Sequence, residues 1–501
     1  MPPASERSAA PFASKQSVVS ASGVLPRDHK LLLLLLLLLM IAGAALRLLH
    51  LGAKSLWLDE PLTVAIARLP WPQFKQNWLY GEAAFQGAYF LWMRAWLRFG
   101  HTEAWIRLPA VLFAIASIPL LYTLARRLMG EKAALAAAVL FALSPTDVYY
   151  SQEARGYTMT ILLVLASTWF FVRAVEEDHE RNWLLWVVFS AIAFYSHFLS
   201  CLVLLAQAAS LLVLREPRIW RRAIFHGLLI LALSAPGLSF FALRGTPHGP
   251  SLQEWPRATP KQVLHLALFL GGSGEKIVFS AILWMAAVGA IWRDRIRKLE
   301  PEILWRGVLL IVWAILPVAI LALVSIRTPL FVQRYMIFCL PATIMLAGRG
   351  MIALPKRHLG LWLVLALCVS SIVNIFMGYR KPREDWRSAT AAVLASAQPG
   401  DAVLIYPEYA RTGFDYYYDL QRPSAPPVRV FGRFYDSGTD YREFEQPVDR
   451  DHNAFPHVWI VLRDGSPVRD FMPDMESKLH AIFGEPRSQK FEGLTVLEFS
   501  H

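Results

Sequence analysis

Cysteine is nearly absent: the 501 residues contain three, Cys201, Cys339 and Cys368, each inside an apolar run. None has the spacing of a metal knuckle or a CxxC redox pair, so neither a disulfide framework nor a zinc site is expected. Charge is scarce too, at 18% of residues against 55% hydrophobic. The mean hydropathy is +0.38, and apolar runs of roughly 16 to 22 residues recur, about the length that crosses a hydrocarbon core. A soluble globular fold is thereby excluded, and the chain reads as a polytopic membrane protein. Acids are outnumbered by Lys and Arg, 38 to 50, for a net charge of +12. The basic residues lie in short clusters between apolar runs, the pattern of cytoplasmic loops rather than of a nucleic-acid surface, so no nucleic-acid partner is expected.

Those clusters set the topology. "RDHK" before the first span, "ARRLMGEK", "REPRIWRR", "WRDRIRKLE" and "PKRH" are expected on the cytoplasmic side. Parity between them closes with about eleven spans, N-terminus in and C-terminus out. Closure requires that the segment 84–99, short and carrying Arg94 and Arg98, lie along the interface instead of crossing. The expected organisation is a disordered cytoplasmic N-terminus (1–30), a transmembrane domain (31–380) with a first outer loop at 51–106, and a polar C-terminal part (381–501). The runs "AVLIY", "VRVFG", "VWIVL" and "TVLEF", with the helical stretch "DWRSATAAVLASA", mark that last part as a small extracytoplasmic α/β domain.

On the outer side the polar residues are concentrated. The first loop holds "SLWLDEP" with adjacent Asp59 and Glu60, which can serve as a general base, as metal ligands or as solvated loop residues. The second gives "SPTDVYYSQEARGY" with Tyr150, Gln152, Glu153 and Arg155, where the plain alternative is a Glu153–Arg155 pair capping a helix. His197 sits in the third outer turn, and Arg334 and Tyr335 enter an apolar run after the last outer loop. An arginine at that depth needs an anion, which a lipid phosphate or a carboxylate from another helix would supply. An acid, edge-buried arginines and loops opening to lipid suit group transfer from a lipid-phosphate carrier.

"SLWLDE", the stretch from "RLPAVLFAIAS" through "YYSQEARGYTMTILLVLAS", and "QRYMIFCLPA" resemble integral-membrane glycosyltransferases of the bacterial GT-C superfamily. The branch is that of protein O-mannosyltransferases and lipid A aminoarabinose transferases, and the resemblance covers about residues 33 to 380. It implies a mainly α-helical polytopic GT-C fold and inverting transfer from a polyprenyl-phosphate sugar to a protein, lipid or polysaccharide acceptor, at the outer face of the inner membrane. Asp59 would be the base, supported by Glu60; Arg155 and Arg334 would face the carrier phosphate; Tyr150, Gln152, Glu153, His197 and Tyr335 would contact acceptor or sugar. No cofactor is required on this reading, although a divalent metal is compatible with it. Many relatives carry "HPPLYY" where this chain has "FQGAYF" at 85–90. A flippase for a lipid-linked sugar would use the same arginines, but no internal repeat supports it. A scaffold with an inactive membrane part is the remaining class.

Overall fold

The computed structural model describes residues 26–57, 59–80, 86–244, 257–271, 277–298, 300–422, 424–432, 441–451, 454–464 and 472–500. Most of the expected N-terminal tail (1–25), of the loop "RGTPHGPSLQEWPRATPKQ" and of the patch "GRFYDSGTDYREFE" therefore lies outside the described residues. The chain forms two compact units. The first comprises the described parts of Met1–Leu49, Lys75–Tyr89 and Leu108–Gly378; the second comprises those of His50–Phe74, Phe90–Arg107 and Tyr379–His501.

The first unit is helical. Among the described residues seven helices are long and apolar enough to cross a membrane, from Lys30–Leu48 to His358–Arg380, or eight if the bent pair Glu131–Ala142 and Pro145–Ser151 counts as one span. The other expected spans, 183–198, 199–214 and 223–243, are carried by Glu180–Ser196, by the broken helical run Phe198–Val213, and by Pro217–Arg244. The first helix begins at Pro26, so the end of the segment expected to be a disordered tail is helical. Proline fits a first helical turn because its missing N–H has no partner there anyway.

The bend in the pair is written in "SPTD". Ser144 has an extended backbone, its side chain accepts the Asp147 N–H, and Pro145 opens the new helix. The axis turns by 49°. This delivers Asp147 to Arg47, both fully buried, with Arg47 Nη2 2.6 Å and Nε 3.2 Å from Asp147 Oδ2. Arg47 Nη1 also donates to Gly43 O and Ala142 O, each at 2.9 Å. Ala142 ends its helix, where a cation is favoured by the helix dipole.

Charged residues between the helices pair with one another in this unit. Arg127 binds Glu176 and Glu177 (2.5 and 2.7 Å), Arg306 binds Glu176 (2.8 Å), and Arg222 binds Asp178 and Glu180 (2.8 and 3.0 Å). Deeper in the unit the polar side chains satisfy one another. Gln207 accepts from Trp186 Nε1 at 2.8 Å and donates to Thr168 at 3.1 Å, while Ser167 and Ser190 pair at 2.8 Å.

The second unit is built on a five-stranded sheet in the order β2-β1-β3-β5-β4. The strands are β1 (Ala402–Tyr406), β2 (Arg429–Phe431), β3 (His457–Arg463), β4 (Arg487–Phe491) and β5 (Leu494–Ser500). β1 runs parallel to β2 and β3, whereas β5 is antiparallel to both β3 and β4. The helix Trp386–Ser396 starts at Asp385, whose carboxylate accepts the Ser388 N–H. Most of the first outer loop belongs here. The Leu56 N–H donates to Tyr417 Oη (2.7 Å), Ser55 Oγ to Glu384 O (2.6 Å), Tyr416 Oη to His101 O (2.6 Å), and Arg387 to Glu103 (2.7 Å). A boundary drawn at 380 alone separates residues that this unit joins. The tyrosines of "YPEYARTGFDYYYDL" are largely committed to this packing, with Tyr416 and Tyr417 buried. Within the expected interfacial segment 84–99, residues 84–85 lie outside the described set and Gly87–Trp96 is helical.

Arg47→Met is expected to lower unfolding stability by about 3–5 kcal/mol, because it leaves Asp147 buried without its cation. The double variant Arg47→Met/Asp147→Leu should recover most of that loss. Thermal unfolding of the purified protein in detergent checks both.

Candidate functional site

In the second unit the helix Asp59–Arg68 opens with both acids in its first turn, where carboxylates meet the positive end of the helix dipole. Their surroundings differ. Glu60 is fully buried and takes Arg107 through both oxygens, Nε to Oε1 at 2.8 Å and Nη2 to Oε2 at 2.7 Å. Arg107 is 1% exposed and donates further to Leu51 O (2.8 Å), Lys54 O (2.8 Å) and Ser55 O (2.9 Å). Each of its five N–H bonds thus has a partner. The Trp57 N–H adds a bond to Glu60 Oε2 at 3.3 Å. Asp59 is partly exposed, and its main-chain oxygen accepts from Thr63 Oγ1 at 3.1 Å. Of two acids adjacent in sequence, Glu60 is buried in the frame and Asp59 is partly exposed.

In the first unit the "QEAR" turn follows the helix Pro145–Ser151, with the Arg155 N–H on Glu153 O at 2.8 Å. Around it the unit gathers residues from three separate stretches. Tyr150 and Tyr157 rings lie 4.9 Å apart edge-on, Tyr157 and His197 lie 6.3 Å apart, and His197 and Tyr335 lie 5.2 Å apart. The Arg334 guanidinium sits 5.7 Å from the centre of the Tyr335 ring. Arg155 and Arg334 both act on His197 through their charge, and Arg334 and Glu153 both act on Tyr150. His197 ends the helix Glu180–Ser196 in an extended conformation and is buried; among the described residues its Nδ1 has no hydrogen-bond partner. A polar atom in that condition is costly unless a ligand or water completes it.

The remaining expected site residue, Gln152, turns its amide to Arg47 O and Leu49 O (3.1 and 2.7 Å) and so closes the end of the first helix. The divergent "FQGAYF" stretch also has a place in this unit. Gln86 is buried and its Oε1 accepts the Gly156 N–H at 3.3 Å, just after Arg155. Among the described residues, no three His, Cys, Asp or Glu side chains lie close enough together to share a metal ion. Arg47 and Arg107 were not singled out from the sequence. The available signal was a guanidinium within an apolar run, "AALRLLH" and "AWIRLPA", where a charge must be paired.

Residues 83–240, which include the "QEAR" turn and His197, match the family of dolichyl-phosphate-mannose-protein mannosyltransferases. No curated protein sequence matches the chain. Among solved structures it is similar to ArnT from Cupriavidus metallidurans in the apo state, with a TM-score of 0.62 and 14% identity over 94% of this chain and 98% of that one. The same protein bound to undecaprenyl phosphate gives 0.61 and 14%, over 92% and 97%. The oligosaccharyltransferase of Archaeoglobus fulgidus in complex with Zn and sulfate gives 0.50 and 10%, over 85% of this chain and 67% of that one. At such identities the likeness is one of fold. The chain thus shares the fold of ArnT, and about a third of it resembles the mannosyltransferase family, both of them integral-membrane glycosyltransferases of the GT-C type.

Proposed function

We propose that the protein transfers a sugar from a polyprenyl-phosphate-linked donor to an acceptor at the outer face of the cytoplasmic membrane, with inversion. The observation that carries this reading is the cluster of Arg155, Arg334, Tyr150, Tyr157, Tyr335 and buried His197 in the segment matched by the mannosyltransferase family and its neighbourhood. The likeness in fold to an ArnT bound to undecaprenyl phosphate supports the donor class.

In this reaction the bond between the sugar's anomeric carbon and the phosphate oxygen breaks, and the polyprenyl phosphate leaves with the bonding pair. Negative charge grows on the leaving oxygen, and two guanidiniums with reduced access to water are suited to stabilise it. The acceptor hydroxyl forms the new bond and gives its proton to the Asp59 carboxylate acting as general base. Glu60 has a different part, that of keeping Arg107 and the loop in place. Tyr150, Glu153, His197 and Tyr335 are assigned to the sugar or acceptor hydroxyls, and no resident metal is invoked.

Asp59→Asn is expected to lower kcat by about 10²- to 10⁴-fold while leaving the unfolding midpoint unchanged. Full turnover by that variant, measured with purified protein and a polyprenyl-phosphate sugar, removes Asp59 from the role of base. Glu60→Gln should show the opposite pattern in stability, a loss of about 3–5 kcal/mol, because Arg107 is left half-paired in the interior.

Arg334→Ala and Arg155→Ala are expected to raise KM for the donor at least about tenfold, the equivalent of one charge-assisted hydrogen bond, with KM for the acceptor little changed. Donor affinities equal to those of the unmodified protein would refute the phosphate assignment.

A further inference from the structure

In the first unit the helices Glu180–Ser196, Cys201–Ser210 and Pro217–Arg244 leave a groove between them with a volume of about 400 Å³. Its walls are almost wholly hydrocarbon, with Phe171, Trp186, Leu205, Ile224 and Leu231 among them. Gly227 also lines it, and a Cβ built there meets nothing within 4 Å. Glycine weakens a helix interior, and no neighbour requires it at this position, so its effect is to deepen the groove. One end carries charge. The Trp220 indole lines the groove and its Nε1 donates to Leu214 O at 3.1 Å, which brings the residues that follow these two in the chain, Arg221 and Arg215, to that end. Both are exposed, and among the described residues neither takes part in an ion pair. Their neighbours Arg218 and Arg222 are spent on Asp178 and Glu180 at 2.8 to 3.0 Å. The exposed Glu216 balances one of the two remaining charges and leaves a net cation. The 17-residue helix Glu180–Ser196, about 25 Å long, has His197 beyond one end and Glu180, held by Arg222, at the other. The basic end of the groove therefore lies a helix length away from the arginine cluster around His197.

We infer that this groove seats one acyl chain of an anionic phospholipid, with the headgroup phosphate at Arg215 and Arg221. Hydrocarbon is the solvent along these helices, and a concave apolar wall without partner atoms forfeits dispersion contacts that a chain laid into it restores. A basic end on an apolar cleft between spanning helices is the arrangement that recognises acidic headgroups. Trp220, at the same end, has the amphipathic ring that settles at headgroup level. Volume separates two kinds of chain: about 400 Å³ is on the scale of a single straight acyl chain, whereas the polyprenyl tail of the carrier is much longer and methyl-branched. The groove is thus a lipid site apart from the proposed donor site, and its occupancy does not depend on the glycosyltransferase reading.

The full-length protein, purified in detergent, is titrated with palmitoyl-oleoyl phosphatidylglycerol and, separately, with phosphatidylcholine of the same chains, and bound lipid is counted by native mass spectrometry. The unmodified protein is expected to hold one phosphatidylglycerol at least about tenfold more tightly than phosphatidylcholine, the equivalent of one charge-assisted hydrogen bond. Arg215→Gln/Arg221→Gln is expected to remove that preference. Gly227→Phe, whose ring fills the groove, is expected to abolish the specific binding of phosphatidylglycerol and to leave binding of undecaprenyl phosphate unchanged. Equal affinity for the two headgroups in the unmodified protein, or phosphatidylglycerol binding that survives Gly227→Phe, overturns the proposal. Loss of undecaprenyl phosphate binding in Gly227→Phe assigns the groove to the carrier tail and overturns it as well. If Gly227→Phe does not fold, the surface variant Arg215→Gln/Arg221→Gln decides, and a retained preference for phosphatidylglycerol there is the overturning result.

Discussion

The Arg107 guanidinium, 1% exposed, has five N–H bonds, and in a dry interior each one left unmade is destabilising. Its acceptors are three carbonyls between Leu51 and Ser55 and both oxygens of Glu60. Satisfying them all fixes the shape of the chain from Leu51 to Glu60 and hence the place where the helix Asp59–Arg68 begins. The orientation of Asp59 is inherited from that geometry. The same constraint acts in the first unit, where Arg47 finds Asp147 and three carbonyls and so joins the first helix to the bent pair.

Saturation of this kind divides labour between neighbouring acids. A carboxylate gripped on both oxygens by a buried arginine is held in place, which suits a frame. Asp59, one residue earlier on the helix and partly exposed, has no such grip from Arg107. In the first unit the arginines of the tyrosine-lined cluster stand in another situation. Arg155 and Arg334 lie close enough to His197 for both charges to be felt at its ring.

Much of this was legible in the sequence because it depends on neighbours along the chain. Asp385 before an apolar-periodic stretch marks the start of its helix, and the short apolar runs of β1, β3 and β5 mark the sheet, whereas the bend at "SPTD" lies inside a stretch that reads as a single span. β4 left no mark, because "RSQKF" is an edge strand, largely exposed, and carries no apolar alternation. The partnership of Arg47 with Asp147 spans 100 positions, and that of Leu56 with Tyr417 spans 361. No local pattern encodes a pairing at that range. The two acids at 59 and 60 look alike as letters for the same reason: what separates them is an arginine 47 positions on from Glu60.

The departure from "HPPLYY" acquires a physical meaning at the "QEAR" turn. Gln86 accepts the Gly156 N–H, and a Cβ added at Gly156 would stand 3.1 Å from the Tyr89 Cβ and 3.4 Å from Gln86 Oε1. A side chain at position 156 would therefore be tightly packed, and the divergent stretch fits against the backbone one residue beyond Arg155. A substitution at Gln86 removes the acceptor of the Gly156 N–H, one residue beyond Arg155. In this chain Gln86 supplies an amide oxygen and close packing to that backbone.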